Sequence, residues 1–321
     1  MTWTVFLDTV LNNTLVFATP LILAALGGVI SERAGVVNIA LEGFMIMGAF
    51  GAAITAFYLG DEMGLGALGP WFGLIAAFLL GMLFAVPHAV ASIHFRADQV
   101  VSGVAINFLA AGFSIFMVKI LFEGSAQTKT IQNTFTKVQI PGLTDIPIIG
   151  KGILMSYPTT YIAVALVIFL YYLLYRTGFG LRLRAIGEHP HAAASVGISV
   201  YYYRYIAVLL AGGFAGIGGA GMSTAISNNF SHNTIAGQGF MALAAMIFGK
   251  WHPVGAMWAA LFFGFANALA ANGQVLGLTK YVPAEFLNML PFVLTILALA
   301  GVVGKAVAPA ADGRPYVKGQ R

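Results

Sequence analysis

The side chains most able to do chemistry in this chain are polar groups set inside long apolar runs, where a central acid costs about 2.5–3.5 kcal/mol to insert. Glu42 is the acid well inside such a run, in Val36-Val37-Asn38-Ile39-Ala40-Leu41-Glu42-Gly43. If the run is one helix, Glu42 stands about 9 Å beyond Val36 at 1.5 Å per residue. Asn38 is then one turn earlier on the same face, and Met45 and Ala49 continue the stripe. A carboxylate and an amide so placed can hydrogen-bond a polar, uncharged solute, or carry a proton. The same carboxylate can instead pair with Arg33 or cap a broken helix end. Asn107, Asn267 and Asn288 are further amides inside apolar runs, each able to bond a neighbouring helix as readily as a solute.

Other chemistries lack their residues. With no cysteine there is no disulfide, thiolate metal site or thiol nucleophile. The Gly-Lys pairs at Lys151, Lys250 and Lys305 are not followed by Ser or Thr, so no phosphate-cradling loop is expected and ATP is not expected on this chain. Glu188-His189-Pro190-His191 offers too few ligands for a metal, and proline separates its histidines. Lys119 and Arg204 lie near segment ends, where they can snorkel, so a strongly anionic cargo is disfavoured. No titratable cluster suggests an integral membrane enzyme.

The elements that must position these groups are membrane helices. Of 321 residues, 59% are hydrophobic and only 8% charged, with a mean hydropathy of +0.87, against about 25% charged in soluble domains. The net charge of +5 is small and sits between apolar runs, which suits a lipid bilayer and topology signals rather than nucleic acid. A spanning helix needs about 20 apolar residues. By that rule the expectation is an all-α polytopic membrane protein with nine segments: Leu11 to Ile30, Val36 to Leu59, Trp71 to Phe95, Gln99 to Phe122, Thr159 to Tyr175, Ile198 to Ile226, Ile235 to Phe248, Val254 to Ala271, and Ala284 to Val303. The seventh is too short to span alone and reads as broken or re-entrant. The first lacks the flanks of a signal peptide and is expected to be retained.

Lysine and arginine positions place Arg33, Arg96, Lys250, the loop with Arg176, Arg182 and Arg184, and the C-terminus on the cytoplasmic side. Asp61, Glu62, the Asn228 to Thr234 turn and the long Glu123 to Pro158 connection fall outside, as does Lys280, which fits less well. An internal repeat is visible. Ile39-Ala40-Leu41-Glu42-Gly43-Phe44-Met45 is echoed by Ile235-Ala236-Gly237-Gln238-Gly239-Phe240-Met241, and Pro70, Ala76, Ala77 and Gly81 by Pro253, Ala259, Ala260 and Gly264. The copies run in opposite directions, the inverted-topology plan that builds a solute path between two halves. Gln238 then faces Glu42 across a pseudo-twofold axis, with Phe44 and Phe240 beside them. These, with Asn38, Asn107 and Asn267, are the candidate path residues. Gly212, Gly213, Gly216, Gly218, Gly219 and Gly221 imply close helix packing or a bend.

One polar interruption stands out, from Arg182 to Ser199. Pro190 can open a short helix, Ala192, Ala193 and Ala194 favour it, and Gly197 offers a left-handed stop. Its small side chains would let a groove on a partner approach the backbone.

Here the residues carry a family resemblance. Glu32-Arg33-Ala34-Gly35-Val36-Val37-Asn38-Ile39-Ala40-Leu41-Glu42-Gly43 resembles the signature of permease subunits of bacterial ABC importers in the branched-chain amino acid, ribose and nucleoside group, most closely the nucleoside branch. Arg96-Ala97-Asp98-Gln99-Val100-Val101-Ser102 and Asn107 are similar to that branch, although Glu is more usual at Gln99. Gly187-Glu188-His189-Pro190-His191-Ala192-Ala193 resembles its coupling loop, although Asn usually precedes the proline.

The resemblance spans nearly the whole chain and implies one permease domain over 1–308, of the type II importer kind. Its repeat halves would be about 11–122 and 198–304, its coupling loop about 182–198, and its cytoplasmic tail 309–321. It implies a plasma-membrane complex with a second permease, identical or paralogous, two ATP-binding subunits that carry ATP and Mg, and an external solute-binding protein. Arg184, Gly187, Glu188, Pro190, Ala192, Ala193, Ala194 and Gly197 would contact the ATPase. Nucleosides are the implied cargo, with ribose-like sugars or riboflavin as the nearest alternatives. A stand-alone proton-coupled transporter working through Glu42 is the alternative of another class.

Overall fold

The computed structural model describes residues 3–144, 146, 148–273, 282, 283, 286, 287, 289, 290, 293, 296 and 306–319. All regular structure among them is helical: α1 (Trp3–Arg33), α2 (Leu41–Thr55), α3 (Gly69–Ala89), α4 (Gln99–Leu121), α5 (Pro158–Arg176), α6 (Gly178–Glu188), α7 (Pro190–Ser195), α8 (Val200–Gly221), α9 (Gln238–Phe248) and α10 (Pro253–Asn272). Wider π turns extend α2 to Glu62, α3 to His94 and α8 to Ile226. Seven of these helices are long and apolar enough to cross a membrane, and α9 is a shorter apolar one. Most of the expected ninth segment, Asn288 included, lies outside the described residues, as do Lys280 and Lys305.

Local chemistry sets the helix starts. Asp98 caps α4 by accepting from the Val101 N–H at 2.9 Å, and the Thr177 hydroxyl accepts from Gly180 at the head of α6. Pro158, Pro190 and Pro253 occupy first-turn positions of α5, α7 and α10, where a missing N–H costs no intrahelical bond.

Helices α1, α2 and α8 form the buried centre, while α3, α4, α5 and α10 turn large apolar side chains outward, among them Leu79, Phe108, Ile168 and Trp258. That outward belt suits hydrocarbon. Small residues bring the central backbones together. A Cβ at Gly48 would overlap the Gly216 carbonyl, and one at Gly81 would overlap that of Gly212. Helix α8 packs on α1, α2 and α3, and α1 packs also on α9 and α10, where a Cβ at Gly264 would come within 2.6 Å of the Thr14 carbonyl oxygen. The glycines of α8 therefore pack, and the helix runs unbroken to Gly221.

Two ends are distinct. At one, Asp61 accepts from the Gln132 and Asn133 backbone N–H groups, Thr128 and Phe230 exchange bonds, and Asn12 holds Lys137 and the Met155 carbonyl. The long connection thus lies over the ends of α1, α2 and α8. At the other end, Arg33 donates to the Trp251 carbonyl at 2.8 Å and to that of Lys250 at 3.2 Å, close to Gly187. The groups that charge assigns to opposite sides of the bilayer are thus separated in space.

Candidate functional site

The run from Val36 to Leu59 is not one helix. Residues 34–40 are irregular and α2 begins at Leu41, so Glu42 sits in the first turn of a helix rather than in its middle. Asn38 belongs to the irregular stretch and shares no helical face with it. The second copy breaks at the matching place. Ala236 and Gly237 are left-handed, at φ 46° and 89°, and α9 begins at Gln238. A helix of 11 residues is about 16 Å long at 1.5 Å per residue, roughly half a hydrocarbon core of about 30 Å.

The two breaks face each other. Gly239 packs against the Glu42 backbone so closely that a Cβ there would overlap Cα and N of Glu42. One Glu42 oxygen accepts from the Gly237 N–H at 2.7 Å and the other from the Gly239 N–H at 2.6 Å, with the Phe240 N–H also turned to the carboxylate. The first N–H groups of a helix have no partner within it and carry partial positive charge. Glu42 supplies that partner to α9, and the start of α9 compensates a carboxylate that is 8% exposed. Of the roles open to Glu42 in the sequence, capping a broken helix end is the one seen. Arg33 is engaged elsewhere, with Trp251 and Lys250.

Asn107 does the equivalent work for α2. Its Oδ1 accepts from the Gly43 N–H at 2.8 Å while its Nδ2 donates to the Ile39 carbonyl at 3.0 Å, clamping the break from both sides. Gln99 accepts from the Val37 N–H at 2.7 Å. His88, buried, lies 3.0 Å from the Ser102 hydroxyl and 3.3 Å from the Val37 carbonyl. Asn38 is fully buried, and neither polar atom of its amide has a partner among the described residues. Gln238 is half-buried at the head of α9, Phe44 is buried, and Phe240 is 50% exposed. Asn267 lies apart on α10, with its buried Nδ2 unpartnered. The structure therefore brings Glu42, Asn107, Gln238 and Phe240 to the meeting point of two half-helices. There each carboxylate and amide bond holds backbone that hydrocarbon could not satisfy.

The stretch from Arg182 to Ser199 folds as a knob. It contains the end of α6 and all of α7, joined at His189, with Pro190 at the first position of α7 and a left-handed Gly197 (φ 85°) just beyond its end. Arg184 donates to the Leu174 carbonyl and lies over the Tyr175 ring at 4.7 Å. Ala192 is exposed and Ala193 buried, so the knob presents one face and packs the other.

Three groups escape the sequence reading. Arg204 does not snorkel; it is buried and donates to the Ala34 carbonyl at 3.2 Å and the Arg314 carbonyl at 3.1 Å. Glu32, a second buried acid, accepts from the Trp251 indole N–H at 2.6 Å and the Asn38 N–H at 3.3 Å. Asp312 meets Glu32 in a carboxyl–carboxyl hydrogen bond, and burial, followed by the Glu32 charge, pushes its pKa up to about 8. Glu32 stands between Ser31 and Arg33 in the sequence, so nothing local marked it as buried.

A family model described as the branched-chain amino acid transport system permease component matches residues 10–299. The chain is 53% identical over 316 residues to the guanosine ABC transporter permease protein NupQ of Bacillus subtilis (strain 168), covering 98% of each. It is 45% identical over 315 residues to the nucleoside ABC transporter permease protein NupC of Lactococcus lactis subsp. cremoris (strain MG1363), covering 97% of this chain and 98% of that one.

Proposed function

For a chain that belongs to the branched-chain amino acid transport permease family, we propose the task of carrying nucleosides inward as the membrane subunit of an ATP-driven importer. The observation that carries this reading is the near full-length identity to two permeases named for guanosine and nucleoside transport. The complex would contain ATP-binding subunits, which hold ATP and Mg, a second permease and an external solute-binding protein. The knob, the Arg33 end and the tail face the cytoplasm in this reading, and the cover over the opposite end faces the receptor.

The geometry supports an external source of work. Glu42 accepts from a helix-end N–H on each of its two oxygens, so protonating one oxygen would turn a donor toward a donor and weaken the cap of α9. That disfavours a proton-coupled cycle through it. The α2 and α9 breaks, held by Asn107 and Glu42, form the pivot between the halves, and Gln238 and Phe240 at the head of α9 line the solute's way past it, whereas Asn38 is fully buried and serves the break itself. Nucleotide-driven closure of the ATPases would favour one arrangement of the halves through the knob, by differential affinity for the two states.

The test is uptake by vesicles containing the full complex, with labelled guanosine, ribose and riboflavin as solutes. Guanosine uptake that requires ATP hydrolysis by the partner and survives collapse of the proton gradient is expected. Uptake by this chain alone, or of ribose or riboflavin in place of guanosine, would overturn the reading.

A further inference from the structure

The C-terminal tail is not a free appendage. Residues 309–318 lie across the cytoplasmic ends of the helices and tie together elements distant in sequence. Ala311 donates its N–H to the Gly187 carbonyl at 2.8 Å, and the Ala310 N–H reaches the Glu188 carboxylate at 3.2 Å. Both acceptors belong to the knob. Two residues later the chain turns through Gly313, at φ 74°, against Val37 of the α1–α2 connection. The Arg314 carbonyl then takes the buried guanidinium of Arg204 on α8, whose Nε holds Ala34 at the end of α1. Tyr316 is buried, its ring 5.1 Å from His191 in α7 and 5.5 Å from Tyr201 in α8, and its carbonyl accepts from the Tyr201 hydroxyl at 3.5 Å. Asp312 faces Glu32 on α1, which also holds the Trp251 turn between α9 and α10.

Three of these partners are groups that would otherwise be a liability. Arg204 is a buried cation and Glu32 a buried acid, and the Gly187 carbonyl lies at a buried helix end. Such groups are costly unless bonded. The tail supplies bonds to all three, so its place is specified at several points along its length.

We propose that residues 309–318 act as a strap that locks the knob to the ends of α1 and α8, so that force applied to the knob enters the helices through the strap. Asp312, Tyr316, Arg204 and Glu32 are then positioning residues for energy coupling, none of them in contact with solute or nucleotide. This rests on the reading of the knob as the ATPase contact. It goes further in assigning the transmission to a segment outside the permease repeats.

The experiment uses the full complex with two variants, a deletion after Ala308 and the milder double variant Ala311→Pro with Tyr316→Ala. The latter removes one strap N–H and one buried ring, and it decides the matter if the deletion misfolds. Hydrogen exchange of residues 189–198 is read alongside subunit retention and uptake per ATP hydrolysed. Faster exchange in the knob, retained ATP-binding subunits and uptake per ATP lowered about 5- to 150-fold, the span of ordinary coupling free energies, are expected. Unchanged exchange overturns the strap, and so does faster exchange with unchanged uptake per ATP. A separate Ala193→Pro chain isolates the underlying reading: if ATP-binding subunits still assemble on it as well as before, the knob is not their contact. The exchange comparison judges the strap's hold on the knob either way.

Discussion

Replacing Glu42 by alanine removes the acceptor for two backbone N–H groups at the head of α9, held now at 2.7 and 2.6 Å. Hydrogen bonds to a charged partner contribute about 1.5–3 kcal/mol each, so two of them put the loss at about 3–6 kcal/mol. Glu42→Gln keeps one carbonyl oxygen but turns an amide N–H₂ toward the second backbone N–H, donor against donor, for a loss of about 1.5–3 kcal/mol. The order of stability is therefore parent, glutamine, alanine. Resistance of the purified protein to denaturant in mild detergent measures it, and uptake with and without a proton gradient runs in parallel. In the glutamine variant, uptake should fall in step with the fraction folded and remain indifferent to the gradient. A Glu42→Gln protein as stable as the parent, yet dead for uptake, would show that the carboxylate acts by titrating and that the capping account is wrong.

Gly239→Ala should be at least as damaging as a core overpacking, about 1–3 kcal/mol. Its Cβ would sit 2.8 Å from the Glu42 carboxylate and overlap Glu42 backbone, which cannot swing aside; yield of monodisperse protein reports it. Gly48→Ala should destabilise similarly against Gly216, whereas Gly112→Ala, in α4 with nothing within 4 Å, should stabilise by about 0.5–1 kcal/mol; thermal midpoints compare the two. The docked tail carries a proton on Asp312 that an undocked tail loses near pH 4, because its pKa rises from 3.8 to about 8. Docking is therefore strongest below pH 4, weakens as pH rises, and loses this contribution above about 8. Protease cleavage of the tail should accelerate over that range, and Asp312→Asn should flatten the dependence.

Hydropathy located seven spanning helices among the described residues, because burial in lipid is written in the length of each apolar run, although α1 begins at Trp3 rather than Leu11 and α2 at Leu41 rather than Val36. Pro190 at the head of α7 announced that helix start for an equally local reason. The breaks at Asn38–Ala40 and Ala236–Gly237 were harder. The apolar run from Val36 continues through the first, since the irregular backbone is as greasy as the helix it precedes. Only the shortness of the second hinted at a half-helix.

By itself the sequence determined that the chain is a bundle of membrane helices, which ends share a side, that the Arg182–Ser199 stretch is a polar knob, and which family signature it bears. Tertiary structure alone decided that Glu42 serves Gly237 and Gly239, 195 and 197 residues away, that Asn107 clamps the first break, and that the tail folds back to satisfy Arg204, Glu32 and Gly187. Hydropathy and helix signals are properties of consecutive residues. The partner of an unpaired backbone N–H or a buried charge is whatever the packed helices bring within about 3 Å of it, and no spacing along the chain encodes that.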